Sequence, residues 1–360
     1  MDKIIKNILE KLEDNGFEAY IVGGYVRDYL LGIKSLDVDI CTNALPKDLH
    51  LIFPVNNSSN NYGGFNLLIK NYNIDITTYR KELKYDKRKP TEIEYINSLE
   101  EDIKRRDFTI NSICLDKSEK IIDLVNGIDD LNSCVIKMLG NIKTRLTEDP
   151  LRILRAIRFA TILDFKIDEN LYETIKNNSD LVCSLSNTRI KEELNKILMH
   201  KNFLKGLKLL KELNILDKLD ITYKEDIVYV NDICGMWAQL EFNKNYSFTK
   251  QENVNIINIR QIIKEGYINN ETLYKYGLYN SLVASSILAI DKKIINKMYN
   301  NLPIKSEQEL QISNEEIMNI LNIEPSRKIK EIKNILIKEI LNNKLKNNNS
   351  ELRKFIIEKR

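Results

Sequence analysis

The chain has 360 residues, 43% hydrophobic and 30% charged, with a formal net charge of +3. That composition describes a globular protein of more than one packed unit, and it excludes a disordered chain or one that meets polyanions through a global field. Five scattered cysteines, none spaced C-x-x-C, and only two histidines argue against a disulfide framework, a cysteine zinc site and a histidine-centred hydrolytic relay, and place the chain in a reducing, cytoplasmic setting.

The first stretch, MDKIIKNILEKLEDNGF, sets Ile and Leu at helical spacing among charges and lacks the apolar core of a signal peptide. No run reaches the roughly 18 apolar residues of a membrane span, so no membrane association is expected. Strands are predicted at Ala19–Val22, Val38–Cys41, Phe65–Ile69, Ile74–Tyr79 and Ile121–Leu124, with a helix over Tyr25–Leu31. Their alternation predicts a small α/β or α+β domain ending near Gly140. After Thr147 apolar residues recur every three or four positions and glycine and proline become sparse, which predicts an all-helical remainder. Breaks are expected near Asn245–Lys250 and Asn300–Pro303, and a polar run, Lys346–Ser350, interrupts the lysine-rich end.

Asp37-Val38-Asp39 is the most informative tripeptide of the first third. On a strand, residues i and i+2 share a face, so the two carboxylates point together while Val38 and Ile40 anchor the core. Such a pair is a natural seat for Mg²⁺, which takes a few carboxylates and completes its shell with water and substrate phosphates. Taken alone, D-x-D fits a solvated edge strand as well. The order strand, Gly23-Gly24, helix, D-x-D strand favours the ion, because the glycines let backbone N–H groups approach a triphosphate at a helix start. Arg27 adds a fixed positive charge in that helix's first turn.

GGYVRDYLLG followed by SLDVDICTNALP resembles the head-domain signature of the class II tRNA nucleotidyltransferase and bacterial poly(A) polymerase family, within the DNA polymerase β superfamily. The resemblance continues through TTYRKELKYDKRKP, EDIKRRDFTINSI and EDPLRILRAIRFA, in the family's order, with a weaker echo in SNTRIKEELNKIL. It implies an α+β architecture: a small mixed-sheet nucleotidyltransferase head (1–140) followed by an all-helical neck for base recognition (141–200), body (201–300) and tail (301–360), the last two binding RNA. The implied activity is addition or repair of the 3′-terminal CCA of tRNA from CTP and ATP, with Mg²⁺ on Asp37 and Asp39 and release of pyrophosphate. CC or A addition, poly(A) synthesis and non-catalytic RNA binding share the head. An intact Tyr79–Pro90 loop favours full CCA addition, and the absence of a strongly basic extension disfavours a poly(A) polymerase.

The resemblance also assigns residues. Gly24, Arg27 and Arg106 contact the nucleotide and Asp107 senses the ribose. Asp149 and Arg152 read the base, while Arg155 and Arg158 follow along the nucleotide and primer path. Cytosine and adenine each present an amino donor beside a ring-nitrogen acceptor, whereas uracil and guanine present the reverse. An ionised aspartate only accepts and an arginine only donates, so the pair Asp149/Arg152 matches C and A alone. Thr147 is the expected N-cap of their helix, with Glu148, Asp149 and Pro150 in its first turn; Asp149 and Arg152 are then neighbours on one face, which a plain salt bridge also explains. Departures from the family pattern are Gly63-Gly64, Asp75 in place of a glutamate, Thr188 before Arg189, and Asn314 and Ser326 where glycines are usual.

Overall fold

The structure, a computed structural model, describes residues 1–54, 64–86 and 89–359, with the backbone alone at 84–86 and 89–91. Its contacts divide the chain into two units, Met1–Asp220 and Ile221–Arg360.

The first unit opens with α1 (Lys3–Asp14), capped by the Asp2 carboxylate accepting from Ile4 N, with Ile5, Ile8, Leu9 and Leu12 buried along one face. There follow β1 (Ala19–Val22), α2 (Gly24–Leu30), β2 (Asp37–Thr42), α3 (Pro46–Ile52), β3 (Gly64–Ile69) and β4 (Tyr72–Thr78). A hairpin of β5 (Arg80–Asp86) and β6 (Lys89–Tyr95) leads to α4 (Leu99–Lys104), then β7 (Cys114–Leu115), β8 (Ile121–Ile122), α5 (Gly127–Asn132) and β9 (Val135–Ile136). The main sheet has the order β3-β4-β2-β1-β7-β8. It is mixed: β2 and β4 run parallel and the other pairs antiparallel. The expected strands are all present, with ends displaced by at most two residues. The stretch predicted as an adaptable loop, Tyr79–Pro90, falls largely in the β5–β6 hairpin, and its residues 87 and 88 lie outside the described residues, as does Gly63.

The unit continues with α6 (Ile142–Glu148), α7 (Leu151–Ile162), β10 (Lys166–Ile167), α8 (Glu169–Asn177), α9 (Asn187–Leu198), α10 (Phe203–Glu212) and α11 (Ile215–Leu219). The helices are present as expected, but the remainder is not all-helical: β10 pairs in parallel with β9. The helix start expected at Thr147 is not found there. Thr147 lies in the last turn of α6, where its hydroxyl donates to the Lys143 carbonyl. Asn141 caps α6 instead, and Asp149 and Pro150 form the joint to α7. Pro150 lacks an N–H, so it forces a fresh start of the helix rather than sitting inside its first turn.

The second unit begins with β11 (Ile221–Tyr223), α12 (Ile233–Ala238) and β12 (Leu240–Phe242), the two strands pairing antiparallel. Trp237 is fully buried among Phe242, Tyr246 and Phe248, ring centres 5.0–5.2 Å away. Next come α13 (Lys250–Glu265), opened by a Thr249/Glu252 capping box, α14 (Asn270–Ile287) and α15 (Lys292–Asn300). Helix α14 breaks at Gly277, whose φ of 78° needs a glycine. The chain ends with α16 (Asn314–Leu321), α17 (Arg327–Leu341) and α18 (Asn349–Glu358), closed over a core of Ile295, Ile304, Ile317, Leu336, Ile340 and Leu352. No helix among the described residues is long and apolar enough to cross a membrane.

Candidate active site

Strand β2 alternates exposed and buried side chains, so Val38 and Ile40 lock into the core while Asp37 and Asp39 share the open face. The parallel neighbour β4 sets Asn73 beside Asp37 and Asp75 beside Asp39. The Asn73 amide donates to Asp37 Oδ1 at 3.3 Å, and Asn66 on β3 donates to Asp75 Oδ1 at 2.8 Å. Asp39 remains open to solvent at the mouth of a cavity yet is ringed by protein. This desolvation pushes its carboxyl above the usual aspartate range, helped by the charges of Asp75 and Asp37 and opposed by Arg106 and Arg155. The carboxylates of Asp37, Asp39 and Asp75 thus stand together on one face of the sheet.

The turn from β1 into α2 closes over these carboxylates. Gly23 has φ +82°, and a Cβ there would stand 2.6 Å from Asp39 Oδ2, so only glycine leaves the carboxylate in place. One turn on, Arg27 is 8% exposed, its guanidinium donating to Asn111 Oδ1 at 2.8 Å and to Asp28 Oδ1 at 2.6 Å. It lies 5.2 Å from the centre of the Phe159 ring, which also carries Arg155 and Arg158 at 5.3 and 4.3 Å. One aromatic ring thus sits among three guanidinium groups that would otherwise repel.

Helix α4 delivers the next two residues. Its Asp102 is fully buried, held below the usual range because Arg105 and Arg106 outweigh the cost of burial. Arg106 donates to Asp102 Oδ2 at 3.0 Å, and its buried Nε has no acceptor among the described residues. That donor is left unpaired inside the cluster. Asp107 follows; burial alone would raise its pKa, but Arg155 donates to it at 2.8 Å through Nε and holds it low. The Asn111 amide bridges the two clusters, accepting from Arg27 and donating to Asp107 Oδ1 at 3.5 Å.

At the α6–α7 joint, Asp149 Oδ1 accepts from Leu151 N at 3.1 Å and its carbonyl accepts from Arg152 N. Asp149 and Arg152 are therefore set by a two-helix corner rather than by one continuous helical face, which corrects the simple i,i+3 expectation. Arg152 is 6% exposed; its Nη1 donates to the Arg145 carbonyl at 2.7 Å and lies 3.6 Å from Glu148 Oε2. Arg158 pairs with Glu193 of α9 at 2.7 Å, and burial lowers its pKa despite that partner.

All ten residues singled out in the sequence line one cavity of about 610 Å³: Asp37, Asp39, Gly24, Arg27, Arg106, Asp107, Asp149, Arg152, Arg155 and Arg158. Further wall residues were missed, among them Asp28, Arg80, Glu82, Arg105, Asn111 and Phe159. The i,i+3 and i,i+4 spacing of Asp102 to Arg105 and Arg106 was a readable signal for the arginine cluster. Phe159 and Asn111 carried none, since their roles come from long-range packing. Of the family departures, Asp75 sits on the carboxylate face without lining the cavity, and Arg189 pairs with Glu192 at 2.8 Å.

Two carboxylates with water and phosphate-sized space around them fit Mg²⁺, which does not need an all-protein cage. No group of three or more His, Cys, Asp or Glu side chains that could hold a metal ion is found among the described residues. A mixed sheet presenting paired carboxylates beside a Gly-Gly turn, faced by fixed arginines, defines a nucleotidyltransferase. The chain matches the poly A polymerase head domain over residues 19–137, the RNA- and SrmB-binding site of polymerase A over 164–220, and tRNA nucleotidyltransferase domain 2 over 238–356. It is 33% identical to a CCA-adding enzyme of Ligilactobacillus salivarius, covering 93% of this chain and 91% of that one. It is also 33% identical to one of Staphylococcus haemolyticus, covering 98% and 97%. Its fold matches the Bacillus stearothermophilus CCA-adding enzyme solved with CTP, with a TM-score of 0.87 at 24% identity over 100% and 98% of the two chains. The chain belongs to the CCA-adding enzyme family.

Proposed function

We propose that the protein builds or repairs the 3′-terminal CCA of tRNA from CTP and ATP, releasing pyrophosphate. The observation that carries this reading is the convergence on one cavity of a carboxylate pair, Asp37 and Asp39, and a base-reading pair, Asp149 and Arg152. The RNA's terminal 3′-hydroxyl attacks the α-phosphorus of the bound nucleotide, and the bond to pyrophosphate breaks. Asp37 and Asp39 hold Mg²⁺, which supplies charge neutralisation at the reacting phosphates. Arg106, with its orphan Nε, and Arg27 take phosphate oxygens. Asp107, fixed by Arg155, faces the ribose.

Base choice rests on donor and acceptor matching. Asp149 accepts the amino group of C or A and Arg152 donates to the adjacent ring nitrogen, whereas U and G leave both unmatched. Each unmatched buried group costs about 1–3 kcal/mol, so the two together discriminate by orders of magnitude. We assign residues 1–140 to catalysis, 141–200 to base recognition, and 201–300 and 301–360 to gripping the tRNA acceptor arm by Lys and Arg contacts to phosphates. The cytoplasm suits a chain whose five cysteines are all unpaired.

The test is extension of a labelled tRNA lacking its last three nucleotides, with Mg²⁺. Two additions from CTP alone, and a third only when ATP is also present, are expected. A halt at two with both nucleotides makes it a CC-adding enzyme, long products from ATP alone a poly(A) polymerase, and no extension an RNA-binding relative.

A further inference from the structure

Arg145 does not line the cavity, yet its side chain is only 12% exposed and makes three polar contacts. Its Nη2 donates to the carbonyls of Arg105 and Arg106, the latter at 2.7 Å, and its Nη1 to Glu148 Oε2 at 3.2 Å. Its own carbonyl is the acceptor for Arg152 Nη1. One residue thus ties the segment that carries Arg106 to the helix end that anchors Arg152. We propose that Arg145 is a positioning residue for base selection, fixing where the Arg152 guanidinium stands in the nucleotide cavity; this rests on the reading of Arg152 as the base donor.

The chemistry is a competition for Glu148. Its Oε2 lies 3.2 Å from Arg145 Nη1 and 3.6 Å from Arg152 Nη1. While Arg145 engages that oxygen, Arg152 is held by a neutral carbonyl through Nη1 alone. Its Nη2 and Nε have no hydrogen-bond acceptor among the described residues. They remain available to a base. Without the Arg145 guanidinium, the last turn of α6 loses its tie to residues 105 and 106, and Glu148 is released to draw in Arg152 as a charge-assisted partner. The donor edge then turns from the base toward the helix. The loss falls chiefly on discrimination between bases, because Arg145 makes no contact with Asp37, Asp39 or Arg27 and touches Arg106 only through its backbone carbonyl, whereas Arg152 loses its guanidinium position.

The test compares the parent with R145Q and R145K in single-nucleotide addition to tRNA lacking its last three nucleotides, measuring kcat/KM for CTP and for UTP, with Tm recorded for each. R145Q is expected to lower CTP-over-UTP selectivity by about tenfold or more, the worth of one charge-assisted hydrogen bond. R145K, able to reach one acceptor but not three, is expected to recover part of it and to keep the fold if R145Q does not. A merely structural role lowers kcat/KM for both nucleotides by one factor and leaves their ratio within twofold of the parent; that result overturns the proposal while the parent's own CTP addition stands. A parent that adds no nucleotide overturns the functional reading and this inference with it.

Discussion

Replacing Gly23 by alanine tests how the β1–α2 turn serves the carboxylates. The residue has φ +82° and ψ −148°, a region reached essentially by glycine alone, and holding another residue there costs about 1–3 kcal/mol. The new methyl would stand 2.6 Å from Asp39 Oδ2, inside any tolerable contact, so Asp39 must move as well. For a unit of this size each kcal/mol lowers Tm by roughly 2–4 °C, which gives a fall of roughly 2–12 °C. A displacement of a reacting group by about 1 Å costs on the order of 10²-fold in rate. Thermal unfolding without ligand gives the first quantity and single-turnover addition of CMP to truncated tRNA the second. Gly24→Ala is the stability control, because a Cβ there meets only Arg27 Nη2 at 3.6 Å. A Gly23→Ala protein with parental Tm and turnover within twofold of the parent would refute the reasoning.

Asp39→Asn should abolish transfer yet, in EDTA, raise Tm near neutral pH, since its folded pKa is raised and its ionised form is penalised in the folded chain; the gain should shrink as pH falls through the raised value toward the ordinary aspartate range, and a lower Tm at neutral pH would contradict it. In the metal-free parent, the Asp39 carboxyl should titrate above an unperturbed aspartate, as an NMR pH titration in EDTA will show. Asp107→Asn, which leaves Arg155 without its buried charged partner, should cost about 3 kcal/mol at neutral pH by urea titration. Because the Asp107 pKa is depressed, this difference should persist down to the ordinary aspartate value and close as pH falls toward the folded one. Asn111→Ala strands Arg27 Nη1 and should cost about 1–3 kcal/mol and weaken nucleotide binding; unchanged affinity for CTP would show that Arg27 needs no such support.

The sequence made the catalytic strand legible because period-two alternation around Asp37 and Asp39 is a local signal, and the glycine pair before α2 is a local steric one. The block Glu148–Ala160, through its resemblance to the family, also pointed to Arg152, Arg155 and Arg158 of α7. What escaped it was set by distant contacts. The stacking of Arg27, Arg155 and Arg158 on Phe159 joins α2 to α7, and Asn111 ties Arg27 to Asp107. The misplaced cap at Thr147 has a local cause: Asn141 also caps well, and its helix ends against Pro150. The pairing of β10 with β9 was hidden because two-residue strands leave no periodicity to read.

The most direct measurement offers truncated tRNA, Mg²⁺ and all four ribonucleoside triphosphates at equal concentration, and sequences the products. Ends of C, then C, then A, with no further growth and without U or G, are what a protein-templated cavity of Asp149 and Arg152 beside Asp37 and Asp39 predicts. Mixed ends, runs of A, or unextended RNA would contradict it.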